Sequence, residues 1–288
     1  MANYKVWLDA ARPRTLPASI APALTGSALA WADKSFSWAV FIAAMLTSLA
    51  LQIGANLAND YYDFRKGSDG PNRMGPTRAT ASGQILPQHM LMATMLVLAI
   101  ALGTGSYLIY IGGIWFAILG ICCLLAAVFY TAGPFALAYL GLGDIAVFLF
   151  FGIIGVNGTY YLHSNMLQWP VLLASLGIGA LTVNILVVNN TRDRITDQLA
   201  KKKTLAVRFG KDFCLKQFTA MLALAFLCLF VPVLIHPGAL LALFTLPLGI
   251  KLYRELKESE GPTLNQTLGR TGKMLFLYSL LFSIGVIL

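Results

Sequence analysis

Residues 38–63 read WAVFIAAMLTSLALQIGANLANDYYD. From Trp38 to Leu57 the stretch holds no charged residue, and it is long enough to cross a bilayer as a helix, which takes roughly 17–25 apolar residues. It then runs straight into Asn59-Asp60-Tyr61-Tyr62-Asp63. The same layout returns later. An apolar run at Trp169–Val188 is followed by Asn189-Asn190-Thr191-Arg192-Asp193-Arg194-Ile195-Thr196-Asp197. In both clusters an Asp follows an Asn by four positions, and the two Asn and the two Asp share one separation, 130 by subtraction of their numbers. The equal offset suggests an internal duplication, with two halves facing each other around a central cavity.

Working outward, the whole chain carries the same signature. It is 58% hydrophobic and only 11% charged, against about 25% charged in soluble domains. A soluble fold is therefore excluded, and the expectation is an all-α integral membrane protein. Candidate spans are Leu16–Trp31, Trp38–Leu57, Leu91–Ile111, Ile114–Ala132, Ile145–Leu162, Trp169–Val188, Phe218–Ile235, Ala239–Ile250 and Met274–Leu288, nine in all, within a single domain over 1–288. The first run follows basic residues as a signal peptide would, but Trp31 and the immediate second span fit a retained helix. The four cysteines show no metal or disulfide spacing and read as apolar packing residues.

A net charge of +9 would fit nucleic acid if it were clustered on one soluble face. Its distribution says otherwise. With the N-terminus inside, every one of the 21 lysines and arginines except Lys34 falls on the inner side of the nine spans. This is the positive-inside pattern of a membrane protein, so the expected partner is the lipid bilayer and not nucleic acid. Outer connections such as Gly112–Gly113 are short, whereas Ala58–Met90 and Asn189–Gln217 on the inner side are long and polar. The chemistry is thereby expected on the cytoplasmic face.

Residues four apart share one helix face, so Asn59 pairs with Asp63, Asn189 with Asp193, and Asp193 with Asp197. Asp60 lies alongside, and Asp69 follows the first cluster. Ionisable groups at a membrane helix cost roughly 2.5–3.5 kcal/mol each on insertion scales. Matched acids at one membrane face therefore point to function rather than to helix-end solvation, or pairing with Arg65, Lys66, Arg192 or Arg194. Hard oxygen ligands suit Mg²⁺ shared with substrate phosphates, making Asp60, Asp63, Asp69, Asp193 and Asp197 candidate metal ligands. Basic residues close by, Arg73, Arg78 and the run Lys201-Lys202-Lys203, suit a diphosphate leaving group whose charge grows as its ester bond breaks. A cation-coupled transporter or Mg²⁺ channel is the rival from another class, but transport sites usually lie near the bilayer midplane, and these acids fall at span ends. A CDP-alcohol phosphotransferase is a second rival. Its Asp-Gly-x-x-Ala-Arg signature is absent, since Asp69-Gly70 is followed by Pro71-Asn72-Arg73-Met74.

These segments resemble the UbiA superfamily of intramembrane aromatic prenyltransferases, and most of all the branch that prenylates 1,4-dihydroxy-2-naphthoate in menaquinone or phylloquinone synthesis (MenA type). The likeness is carried by Arg12-Pro13-Arg14-Thr15-Leu16-Pro17, by Asn56 to Asp63, by Lys66-Gly67-Ser68-Asp69, by Tyr139-Leu140-Gly141-Leu142-Gly143-Asp144, by Asn189 to Asp193 and by Lys202 to Arg208. The resemblance implies helices around a central cavity and Mg²⁺-dependent transfer of an isoprenoid chain from its diphosphate to dihydroxynaphthoate. It assigns Asn59, Asp60, Asp63 and Asp69 to the first metal-diphosphate motif and Asn189, Asp193 and Asp197 to the second. Lys202 and Arg78 would contact the diphosphate, and Tyr130 and Asp144 would lie near the aromatic substrate or the cavity wall. Gly67 stands where many members carry a third Asp, and Lys-Gly-x-Asp is usual in the naphthoate branch. Tyr130-Thr131-Ala132-Gly133-Pro134 lacks a basic residue that some relatives have nearby. The implied setting is a bacterial-type plasma membrane or a thylakoid membrane, with the active site facing the cytoplasm.

Overall fold

The computed structural model describes residues 3–67, 74–133 and 136–288, and among these every regular element is helical. Helix α1 (Tyr4–Ala11) and a 3-10 turn at Pro13–Thr15 lead into α2 (Pro17–Ala32). Next come α3 (Trp38–Arg65), α4 (Pro87–Gly112), α5 (Ile114–Phe129), the short α6 (Leu137–Leu140) and α7 (Gly143–Val147), a π-helical stretch at Phe148–Ile154, and α8 (Gly155–Ser164). The second half holds α9 (Trp169–Leu199), α10 (Leu205–Leu227), α11 (Phe230–Ile235), a 3-10 stretch at Pro237–Thr245, α12 (Leu246–Glu258) and α13 (Leu264–Ile287).

Among the described residues, six stretches are long and apolar enough to cross a membrane: Trp38–Arg65, Pro87–Gly112, Gly143–Ser164, Trp169–Leu199, Leu205–Ile235 and Gly261–Ile287. The other three expected spans are shorter or broken. α2 has 16 residues with Pro22 inside it, α5 has 16, and Ala239–Ile250 is split between a 3-10 stretch and α12. Helices also outrun their hydropathy. α3 continues to Arg65 and α9 to Leu199, while α10 begins at Leu205 rather than Phe218 and α13 at Leu264 rather than Met274. The backbone ladder closes on itself whatever the side chains are, so hydropathy marks only the apolar part of each helix. The long inner connection expected over Asn189–Gln217 therefore shrinks to residues 200–204.

Local sequence sets the ends. Pro17 and Pro87 open α2 and α4 at positions where a missing N–H costs nothing. Thr204 caps α10 by accepting from the Val207 N–H at 3.3 Å. At the centre stands α9, whose apolar window is 78% buried against 11% for α4, so α9 is the post and α4 a peripheral wall. Small residues let neighbours approach α9. A Cβ on Gly152 would lie 2.7 Å from the Gly179 Cα, where the π-helical stretch crosses α9. At the end of α8 the Ser37 N–H donates to His163 Nδ1 (3.0 Å), which leaves Nε2 carrying the proton toward Ser27 Oγ (2.9 Å). The Tyr160 hydroxyl donates to Asp33 at 2.5 Å. These bonds tie the α2–α3 connection to α8.

Candidate active site

A cavity of about 1000 Å³ opens between the ends of α3 and α9 and continues between α3, α4, α5 and α8. Asp63 and Ala44 of α3 both line it, so it extends roughly 28 Å along that helix at 1.5 Å per residue. Asp63, Arg78, Asp193, Asp197 and Lys202 stand at one end, and Leu102, Phe116, Leu124 and Phe150 wall the rest. A charged mouth thus leads into an apolar tunnel.

The first cluster is held by a web of neighbours. Asp63 is 3% exposed; its Oδ1 accepts from the Tyr139 hydroxyl at 3.1 Å, and its Oδ2 lies 3.6 Å from Arg78 Nη2 and 3.9 Å from Lys202 Nζ. Asn59 Oδ1 accepts from Thr131 Oγ1 at 2.8 Å. Lys66 donates to the carbonyls of Thr131 (2.6 Å) and Gly133 (3.0 Å), and its ammonium lies 4.1 Å from the centre of the Tyr139 ring. Burial lowers the Lys66 pKa from its ordinary value, with the Asp63 charge opposing and Lys202 assisting. Lys202 faces the same ring at 5.1 Å, which places Tyr139 between two cations.

In the second cluster one cation holds Asn189 and Asp193. Arg192, 4% exposed, donates through Nε to Asp193 Oδ1 (2.8 Å) and through Nη2 to Asp193 Oδ2 (2.6 Å) and Asn189 Oδ1 (2.9 Å). Its Nη1 donates to Asn265 Oδ1 at 2.9 Å, and the Asn265 amide donates to the Met74 carbonyl at 3.2 Å. Asp197 pairs with Lys202 Nζ at 3.4 Å. Lys202 therefore lies between Asp63 of α3 and Asp197 of α9, and joins the two clusters.

Three residues singled out from sequence sit in surroundings that spacing did not foretell. Asp60 borders the cavity, and its carboxylate also engages backbone: the Ala79 N–H donates to its Oδ2 (3.2 Å) and the Thr80 N–H to its Oδ1 (3.0 Å). Asp144 is buried but does not line the cavity; the Gln217 amide of α10 donates to it at 2.8 Å, which ties α7 to α10. The Lys201-Lys202-Lys203 run is a turn, not a further turn of helix. α9 ends at Leu199, and Lys201 takes a left-handed φ of 58°. The reversal turns Lys202 inward while Lys201 stays exposed. Tyr130 lines the cavity. Asp69 and Arg73 lie outside the described residues.

Sequence reasoning gave no role to Tyr139, Thr131 or Asn265. Tyr139 lies within one of the segments quoted for the resemblance, and only its distance from Asp63 in the fold reveals the contact. The loop that carries it docks at Gly141, whose φ is 79° and where a Cβ would lie 2.3 Å from the Lys203 carbonyl. Glycine is required there twice, by conformation and by space. The Lys203 N–H donates to the Tyr139 carbonyl at 2.9 Å and completes the junction.

Among the described residues, no three Asp, Glu, His or Cys side chains come together as a ready metal cage. The donors that border the charged end of the cavity include Asp60, Asp63, Asp193 and Asp197 with the amides Asn59 and Asn189, all hard oxygen groups. That set fits Mg²⁺, which keeps few protein ligands and fills its sphere with substrate phosphate oxygens and water.

The chain is 37% identical to the 1,4-dihydroxy-2-naphthoate octaprenyltransferase of Mycobacterium tuberculosis, over 91% of this chain and 89% of that protein. It is 36% identical to the Haemophilus influenzae protein of the same name, over 99% of this chain and 97% of the relative. Its fold is similar to that of a UbiA homolog from Archaeoglobus fulgidus solved bound to GPP and Mg²⁺, with a TM-score of 0.68, 17% identity and coverage of 98% of this chain and 99% of that one. From residue 19 to 280 the chain matches the UbiA prenyltransferase family, and it belongs to that family.

Proposed function

We propose that this chain is an integral membrane prenyltransferase, a single domain over 1–288, that transfers an isoprenoid chain from its diphosphate to 1,4-dihydroxy-2-naphthoate with loss of the carboxylate, in menaquinone or phylloquinone synthesis. The observation that carries this reading is Lys202 standing between Asp63 and Asp197 at the mouth of an apolar cavity. The names of the relatives support the acceptor, and family membership favours transfer over transport.

Mg²⁺, when bound, neutralises charge on the diphosphate and on the leaving group. Asp63, Asp193 and Asp197, with Asn59 and Asn189, are the residues that would hold it. Lys202 and Arg78 supply fixed positive charge where the leaving group develops negative charge, which lowers the barrier to breaking the allylic C–O bond. The apolar walls receive the tail and keep water from the allylic cation, so that a ring carbon of the acceptor captures it. Tyr130 lies on the wall within reach of that space. The positive-inside pattern supports a cytoplasmic mouth and a cytoplasmic N-terminus.

Purified protein offered dihydroxynaphthoate, Mg²⁺ and a panel of isoprenoid diphosphates is expected to make the decarboxylated prenyl-naphthoquinol, read by mass spectrometry. Omitting Mg²⁺ is expected to abolish it. Diphosphate release with no naphthoquinol product would overturn the acceptor, and no release from any donor would overturn the reaction class.

A further inference from the structure

We propose that Asp60 is a positioning residue of the donor site, clasping the backbone at Ala79 and Thr80 and so holding Arg78 against Asp63. The inference rests on the reading of Arg78 as a diphosphate contact. Asp60 is 2% exposed, and both of its oxygens accept backbone N–H bonds. Charge-assisted bonds of this kind are about twice as strong as neutral ones.

The clasped segment is a compact turn. The Ser82 N–H donates to the Arg78 carbonyl, Gly83 to Thr80 and Ile85 to Ala79. Ala79 and Ile85 pack with Leu57, Met90 and Ala10 in a small core separate from the main one. On α3 a residue one position beyond Asn59 is rotated by about 100° from it. Asn59 meets Thr131 of the α5–α6 connection and Asp63 meets Tyr139 of α6, while Asp60 bonds the segment after Met74. Arg78 immediately precedes the two clasped amides, and its guanidinium lies 3.6 Å from Asp63. Neighbouring acids on one helix, both bordering the cavity, thus divide the work: Asp63 meets the cations, and Asp60 fixes the loop that brings one of them to it.

The test uses the full chain in detergent, with Mn²⁺ alone and inorganic diphosphate as probes. Asp60→Asn is expected to leave the affinity for Mn²⁺, read by electron paramagnetic resonance, within about twofold, and to weaken inorganic diphosphate about tenfold, the loss of one charge-assisted contact. Arg78→Gln is expected to weaken diphosphate by the same factor, and the double variant to be no worse than Arg78→Gln. Amide exchange at residues 79 and 80 is expected to accelerate in Asp60→Asn and not in Arg78→Gln. If Asp60→Asn does not fold, Asp60→Glu, which keeps the charge but displaces the loop, is expected to show the same binding pattern. A tenfold loss of Mn²⁺ affinity on either change at Asp60 would make it a metal ligand and overturn the proposal, as would additive effects in the double variant. Weakened diphosphate in Arg78→Gln but not in Asp60→Asn would overturn the positioning role alone. No weakening in either would remove Arg78 from the donor site, and the positioning role with it.

Discussion

The ends of α3 and α9 carry acids at the same spacing, yet they are built into the molecule differently. At α3 the acids meet a phenol, backbone amides and two cations drawn from several segments. At α9 a single buried guanidinium grips Asn189 and Asp193 and ties them to α13. Both helices border the cavity, but α9 is the buried post, its apolar window 78% buried against 22% for α3. Equal spacing thus specifies which oxygens are available but not what balances their charge. The balancing groups come from parts of the chain that spacing does not see.

The largest effects are expected where that contrast is broken at its acids. Asp63→Asn and Asp193→Asn should each lower turnover by about 100-fold or more, because on the proposed reading each removes charge that would hold Mg²⁺ against the leaving group. Their stabilities should differ. Asp193→Asn leaves Arg192 buried without its anion, a loss of about 3–5 kcal/mol. Asp63→Asn leaves Lys202 still paired with Asp197 and should lower the melting temperature much less. Thermal unfolding in detergent, run beside product formation, checks both; equal melting temperatures would erase the difference between the two clusters.

Lys202, shared by both ends, comes next. Lys202→Ala should slow donor turnover by roughly one to two decades, the value of a charge-assisted bond of about 1.5–3 kcal/mol, with little change in acceptor affinity. Lys201→Ala should have almost no effect, because the left-handed turn leaves that side chain outside. Steady-state kinetics with donor and acceptor varied separately decide it, and equal effects of the two changes would reduce the run to a topology signal.

The smallest effect belongs to the first cluster alone. Tyr139→Phe keeps the ring between Lys66 and Lys202 but removes the hydroxyl that donates to Asp63. A loss of about 1 kcal/mol, or about fivefold in kcat/KM for the donor, is expected. An unchanged rate would mean that the ring alone positions Asp63.

The membrane class and the paired acids were legible in the chain, because hydropathy and helical spacing are local properties; Lys202 stood out from its neighbours only through the family resemblance. The π-helical stretch and the early, kinked start of α10 were not: the first depends on packing, and the second is a separate polar turn of helix before the break at Gly210, whose φ is 79°. Asp60 and Asp144 show the limit most plainly. Each is an acid in a motif-bearing segment, and each spends its carboxylate on a distant partner, the Ala79–Thr80 backbone or Gln217. Residue type alone cannot tell a ligand from a clasp.

The junction at Lys202 also bears on how the protein is made. Asp63 emerges from the ribosome well before Lys202, and at synthesis rates of about 5–20 residues per second the interval is on the order of ten seconds. Throughout that time the first cluster sits in the membrane without its shared cation and without Asp197. A nascent or truncated chain that stops short of this turn has half a donor pocket. On the proposed reading, such a chain lacks the second set of groups that would hold the donor.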